Sequence, residues 1–407
     1  MARRALETSQ RTHLRLVRAD EASRAKLAIN NRGLIATLVV AALGLTAVGL
    51  IMVLSASSVS GYLLYGSSFS LFQRQFIYAV VGLICMVFAA KTPYQVWQRL
   101  SYPLLAITIG LLVFVLHPAI GHAAGGSSRW IQLGPVNLQP SEFAKLATVA
   151  FAATVLSKKW KKIDDLGTWA VPLLVPLGIV ALLIMLQPDL GTTIVIAGIT
   201  FTLLFVAGIR MRHLWAGIIG SGLLGMVLIM SAGYRRERFF SFLDPWSDPQ
   251  GSGYQVIQSL IGLASGGFTG VGLGASRQKW MYLPNAHTDF IFSILGEETG
   301  LVGEIVVLVM FGVLFFAGIK IASRAPDTFG RLLGAGIIGW LGLQSIVNLG
   351  AVTGVLPITG VPLPLVSFGG SSLVICLTAI GILVSIARSG PRGRGRRPAT
   401  SKKKVRR

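Results

Sequence analysis

The feature that most limits what this chain can become is a series of ten apolar blocks, most of them long enough to cross a bilayer as a helix. About twenty helical residues span the hydrocarbon core. With no water there, backbone N–H and C=O groups have to be satisfied within the segment, which points runs of this length to helices. The blocks cover residues 34–54, 76–90, 102–116, 143–156, 169–186, 190–209, 214–232, 299–319, 332–352 and 366–387. The second, third and fourth are short and are expected to extend into their polar flanks. Charged residues make up 13% of the chain and mean hydropathy is +0.69, whereas a soluble chain carries roughly 25% charged residues. Forty-eight glycines suit close helix packing in lipid. The expected architecture is an all-α integral membrane protein with ten transmembrane helices and a large extracytoplasmic loop between helices seven and eight.

The net charge of +22 raises nucleic acid as a partner, and its distribution argues against one. Eight of the 37 Lys and Arg lie in residues 1–32 and ten in residues 388–407, with no aromatic residue among them. Such tails read as topology signals and contacts with anionic membrane lipids, not as a base-stacking surface. With a cytoplasmic N-terminus, 29 of the 37 fall inside. Seven fall outside (Arg74, Arg129, Arg235, Arg236, Arg238, Arg277 and Lys279), and Lys145 lies within a span. Both termini are therefore expected in the cytoplasm. The domain reading is a basic tail at 1–32, a membrane domain at 33–388 that includes the outer loop 233–298, and a second basic tail at 389–407. The first apolar run has no signal-peptide cleavage site and reads as a retained anchor. Cys85 and Cys376 lie in apolar runs and read as small buried hydrophobes.

The outer loop is 66 residues long. Apolar residues at near-helical spacing (Val256, Ile257, Leu260, Ile261) predict a helix there, either at the membrane surface or as an ordinary loop helix. The glycine-rich run Gly262–Gly267 with Gly270, Gly272 and Gly274 lacks a phosphate-loop Lys-Ser/Thr, so no nucleotide is expected.

Ionisable groups in or beside spans are costly and mark candidate sites. Four groups stand out, all toward the outer face. In Gln139-Pro140-Ser141-Glu142, Ser141 is placed to cap the fourth span, and Glu142 and Lys145 are neighbours on one helix face. They form either a self-neutralising ion pair or, through Lys145, a site for an anion such as a pyrophosphate. Asp189, in Gln187-Pro188-Asp189-Leu190-Gly191, either caps the sixth span through Thr192 or lines a polar cavity. After His287, a helix starting near Thr288 would align Asp289, Ser293, Glu297, Gly300 and Glu304 in one polar stripe facing the bundle interior. Asp289 as a helix cap and His287 as a plain loop residue are the alternatives. Last, Pro357, Pro362 and Pro364 break the chain before Ser367-Phe368-Gly369-Gly370-Ser371, where backbone N–H groups at a helix start suit phosphate.

These motifs, together with Ser128-Arg129-Trp130, His287-Thr288-Asp289-Phe290, Gly296-Glu297-Glu298 and Gly360-Val361-Pro362-Leu363-Pro364, closely resemble the SEDS family of shape, elongation, division and sporulation proteins. The resemblance covers roughly residues 34–388. Leu243-Asp244-Pro245-Trp246 and Asp248-Pro249-Gln250-Gly251 are similar to the division-type, FtsW-like branch. The resemblance implies a ten-span fold and a peptidoglycan glycosyltransferase that polymerises lipid II in septal wall synthesis. It also implies a class B penicillin-binding protein, a transpeptidase, as partner among other divisome membrane proteins. Asp289 matches the family's essential carboxylate. Arg129, Glu142, Lys145 and Asp189 match other positions of its central cavity. A divalent cation, Mg or Mn, is compatible with this activity, and the match does not establish its ligands. Passing from an α-linked diphosphate donor to a β-linked glycan inverts the anomeric centre, so one base suffices. Asp289 would take the acceptor hydroxyl proton, and Lys145, Arg129 or a metal would stabilise the departing diphosphate. A lipid II flippase and a non-catalytic divisome scaffold are the rival readings.

Overall fold

In a computed structural model, which describes residues 2–117, 121–124, 127–133, 136–231 and 233–389, each of the ten apolar blocks falls on a helix. In chain order these are α1 (Ala2–Tyr65), α2 (Ser70–Lys91), α3 (Gln95–Val115), α4 (Pro140–Lys158), α5 (Leu166–Met185), α6 (Leu190–Val206), α7 (Met211–Met230), α10 (Ile291–Ser323), α11 (Thr328–Val352) and α12 (Gly370–Arg388). The long loop between α7 and α10 adds α8 (Gly233–Leu243) and α9 (Tyr254–Gly266). Eight helices are long and apolar enough to cross a membrane: α1 from Asn31, α2, α3, α5, α7, α10, α11 and α12. Helix α6 is apolar but only 17 residues long. Helix α4 carries Glu142, Lys145 and Lys158 among its 19 residues and is not among the eight. The three short blocks do extend into their flanks, reaching 22, 21 and 19 residues in α2, α3 and α4.

Burial sorts the helices into layers. Every residue of α4 from Ala144 to Leu156 is buried, and α12 is buried over nearly its whole length. Alanines at 144, 147, 150, 152 and 153 let α3, α6 and α11 close around α4. Helices α2 and α12 pack against each other along their length, and a methyl group at Gly381 would collide with the Met86 carbonyl. At the other extreme, α7 buries only Leu214 and touches mainly α6 and α8. Helix α9 lays Val256, Ile257, Ser259 and Gly262 against α10 and α11.

The all-α membrane architecture holds, with one small addition and two corrections. The addition is an antiparallel sheet between α3 and α4, made of β1 (Gly121–Ala124), β2 (Ser127–Leu133) and β3 (Val136–Leu138) in the order β1-β2-β3. This stretch is too short and glycine-rich for helical periodicity, and pairing with its neighbours satisfies its backbone instead. Helix α12 starts at Gly370 and not at 366, because Pro362 and Pro364 keep the preceding segment irregular. Helix α10 starts at Ile291, leaving Asp289 ahead of it, and breaks at Gly300, whose φ is 65°. The polar stripe therefore does not run along one face. Residues 291–298 are buried all round, and Glu304 lies half-buried beyond the break. The N-terminal basic segment continues as part of α1, while the basic tail at 390–407 lies outside the described residues.

Candidate active site

Two deeply buried charges lie on α4. Glu142 and Lys145 are each 1% exposed, and Lys145 Nζ donates to Glu142 Oε1 at 2.7 Å. Their three-residue separation puts them on one helix face. Lys145 Nζ also donates to Gln344 Oε1 at 2.9 Å and lies 5.5 Å from the Trp340 ring centre. Gln344 in turn accepts from Trp340 Nε1 at 2.8 Å and donates through Nε2 to the Pro362 carbonyl at 2.8 Å. Glu142 Oε2 and Ser141 Oγ are buried without a hydrogen-bond partner. A lone charge here would be untenable, so the pair and its amide neighbour stand or fall together.

Asp289 sits in the turn between α9 and α10, half-buried. Two carbonyls pin that turn to the bundle. The Phe368 N–H donates to the His287 carbonyl at 2.9 Å, and Asn348 Nδ2 donates to the Asp289 carbonyl at 2.8 Å. Asn348 Nδ2 also donates to the Val361 carbonyl at 2.9 Å. The carboxylate faces Gly360, where an added methyl group would lie 3.8 Å from Asp289 Oδ2. The His287 ring meets Phe368 edge-on at 5.5 Å, and burial pushes its pKa down to about 4. It is therefore neutral at pH 7 and brings no positive charge to Asp289.

The break in α10 is closed by the loop that follows α9. The carbonyls of Glu297 and Glu298 accept from the N–H groups of Val271 and Gly272 at 3.0 and 3.1 Å. In return the N–H groups of Leu301 and Val302 donate to the carbonyls of Gly267 and Phe268 at 2.9 and 3.2 Å. The approach requires glycine: a methyl group at Gly270 would collide with the Glu298 carbonyl. Glu297 accepts from Ser276 Oγ and from the N–H groups of Arg277 and Gln278, so its carboxylate anchors the loop. Glu298 accepts from Ser55 Oγ and lies 3.9 Å from Lys279 Nζ.

The remaining expected residues are committed to the scaffold. Arg129, on β2, donates through Nε to the Gln187 carbonyl at 3.0 Å and through Nη2 to the Pro188 carbonyl. Asp189 caps α6, accepting from the Thr192 N–H at 3.0 Å and from Thr192 Oγ1 at 2.8 Å. The turn it opens packs on the 357–364 segment, since a methyl group at Gly191 would lie 2.5 Å from the Thr359 carbonyl. Ser367 Oγ accepts from the Leu363 N–H at 2.9 Å. Ser371 Oγ accepts from the Gln139 N–H and donates to the Asn137 carbonyl. At the start of α12, Gln75 bridges the Ser367 carbonyl and the Gly369 N–H. Arg129, Ser367 and Ser371, read from sequence as phosphate binders, thus hold neighbouring backbone in this arrangement. Among the described residues, no group of three or more His, Cys, Asp or Glu could hold a metal ion. A search for ionisable groups passes over Gln344, Asn348 and Gln75. A search for any buried amide in an apolar span would have found them.

The family model describing a cell cycle protein, which groups FtsW, RodA and SpoVE, matches residues 36–391. The chain belongs to this family, the SEDS proteins. Stage V sporulation protein E of Bacillus subtilis (strain 168) is 46% identical over 86% of this SEDS chain and 96% of its own length. A probable peptidoglycan glycosyltransferase FtsW of Geobacter metallireducens is 42% identical over 85% and 92%. Among solved structures, a chain of a peptidoglycan synthase complex coordinating polymerization and crosslinking has a TM-score of 0.72 at 32% identity, covering 88% of this chain and 98% of that one. The rod shape determining protein RodA of Thermus thermophilus has a TM-score of 0.65 at 29% identity, covering 88% and 97%. The protein is thus a multi-pass membrane protein with the SEDS fold.

Proposed function

We propose that this chain is a peptidoglycan glycosyltransferase that polymerises lipid II at the outer face of the bacterial cytoplasmic membrane during septal wall synthesis. The observation that carries the proposal is the setting of Asp289: a half-buried carboxylate ahead of α10, facing the Gly360 turn, with its main chain bonded to α11. The names of the FtsW relatives support the reaction class.

In the proposed reaction the acceptor hydroxyl oxygen attacks the donor anomeric carbon. Asp289 takes the hydroxyl proton as the carbon–oxygen bond to the diphosphate breaks, and the anomeric centre inverts. Undecaprenyl diphosphate leaves with its negative charge. Lys145 is the cation proposed to oppose that charge, with Glu142 and Gln344 holding it in place in a medium where charge–charge attraction is strong. Arg129, Asp189, Glu297, Ser367 and Ser371 are assigned to the walls, and His287 to the fixed turn beside the base. A divalent cation, Mg or Mn, is part of the proposal with no ligands assigned, and no step is routed through it.

The partner is proposed to be a class B penicillin-binding protein, in keeping with the synthase-complex neighbour. The bias of basic residues supports ten crossings, counting α4 and α6, with both termini cytoplasmic. Broken helices also mark transport routes. Here loop backbone closes the break in α10, which weighs against the flippase reading. The test is purified protein with its transpeptidase and labelled lipid II. Glycan strands should form, and should disappear in Asp289→Ala while folding and partner binding persist. Full polymerase activity in Asp289→Ala would remove the assigned base, and lipid II scrambling without polymer would favour the flippase.

A further inference from the structure

Two buried amides of α11 bond to both halves of the proposed mechanism. Gln344 and Asn348 are 0% and 2% exposed and lie four residues apart, on one face of the helix. An amide buried in a bundle is costly unless its groups are bonded. Gln344 Oε1 takes one bond from Trp340 Nε1 on its own helix and Asn348 Oδ1 is buried without a partner, while their other bonds lead to the proposed chemistry. Gln344 Oε1 accepts from Lys145 Nζ, and its Nε2 donates to the Pro362 carbonyl. Asn348 Nδ2 donates to both the Asp289 and Val361 carbonyls. Helix α11 is thereby joined to Lys145 on one side and to the Asp289 main chain on the other. It also holds the successive carbonyls of Val361 and Pro362, next to the Gly360 that faces the carboxylate.

We infer that Gln344 and Asn348 are positioning residues that fix the proposed base and the proposed diphosphate-facing cation in one geometry. This inference rests on the function proposed above. The two residues act through Lys145 and Asp289 and do not touch substrate. Their arms differ. Asn348 holds the main chain of the base and Val361, whereas Gln344 holds the cation and Pro362. The arms should therefore separate in kinetics, because misplacing a reacting group by about 1 Å costs on the order of a hundredfold in rate.

The experiment uses the full chain with its transpeptidase partner and labelled lipid II, with rates normalised to the amount of lipid II bound at saturation. Asn348→Leu should lower kcat per bound site by roughly ten- to a hundredfold and leave KM near that of the wild type. Asn348→Gln, which keeps both N–H donors, should recover part of the loss. Gln344→Met should lower kcat and also raise KM. Ser345→Ala, on the same helix and bonded to the Leu341 carbonyl, should change neither. If Asn348→Leu does not assemble, Asn348→Ser carries the same expectation. A per-site kcat equal to wild type in the Asn348 variants would overturn the inference. So would a loss that vanishes on normalisation, because the role would then be structural. The failure of the underlying reading looks different: Asp289→Ala would retain full activity.

Discussion

Replacing Lys145 alone should destabilise the protein far more than replacing it together with Glu142. The pair is 2.7 Å apart and 1% exposed on both sides. At an effective dielectric of about 20, its gross attraction is roughly 6 kcal/mol. Desolvation of the two ions offsets much of that, so the net worth of the intact pair is small. Lys145→Met forfeits the attraction and leaves the Glu142 carboxylate stranded, with Oε2 already lacking a partner. The expected loss is about 3–5 kcal/mol, a hundredfold or more in the folded-to-unfolded ratio. Glu142→Gln combined with Lys145→Met removes both charges while keeping similar volume, and should unfold within about 1 kcal/mol of wild type. Thermal and denaturant unfolding of the purified protein in one detergent would measure both. Equal stability of the single and double variants would refute the view that the charges are coupled. The double variant also isolates chemistry from folding. It should remain folded yet polymerise lipid II about 10²–10³-fold more slowly, the typical cost of losing one stabiliser of transition-state charge. Wild-type turnover in the double variant would remove Lys145 from the mechanism.

His287 sets a pH window. Its folded pKa of about 4 lies below the ordinary 6.5, so stability should be full above about pH 6.5, fall as pH drops toward about 4, and level off below, for a total of about 3 kcal/mol. His287→Phe should flatten that slope in unfolding measured across the window, and an unchanged slope would assign it to another group. At Gly270, where φ is 78° and the Glu298 carbonyl is in contact, alanine should cost more than about 1 kcal/mol. It should also speed hydrogen exchange at Val271 and Gly272. Gly267→Ala, with open space around it, should disturb these amides less, and equal effects would show that the close approach is not what demands glycine.

The spans were legible because lipid imposes one rule on every run of apolar residues, and that rule is written in composition. Helix α4 was the hardest case, since its alanines and its ion pair dilute the hydropathy while packing encloses it as fully as α12. The Glu142–Lys145 pair was legible from spacing alone, and so was the Asp189 cap on Thr192. The roles of Arg129, Ser367 and Ser371 were not. The partners of Arg129 and Ser371 are backbone groups 58 to 234 residues away in sequence, and no local pattern announces such bonds. The stripe from Asp289 to Glu304 misled for a related reason. Helical periodicity assumes an unbroken helix, and Gly300 ends that assumption in the middle of the pattern. Even the amides of α11 could be read as ordinary core fillers until their partners were seen.

The stitching of residues 267–272 into the gap of α10 runs entirely through main chain. It is therefore indifferent to which side chains the loop carries, apart from the glycines that allow the approach. Phe268, Val271 and Leu273 point outward and are exposed. Descendants of this chain can rewrite that exposed surface freely, to suit one neighbour or another, without loosening the attachment to the helix that Asp289 precedes. Within this fold, the exposed surface can diversify while the seam beneath it stays constant.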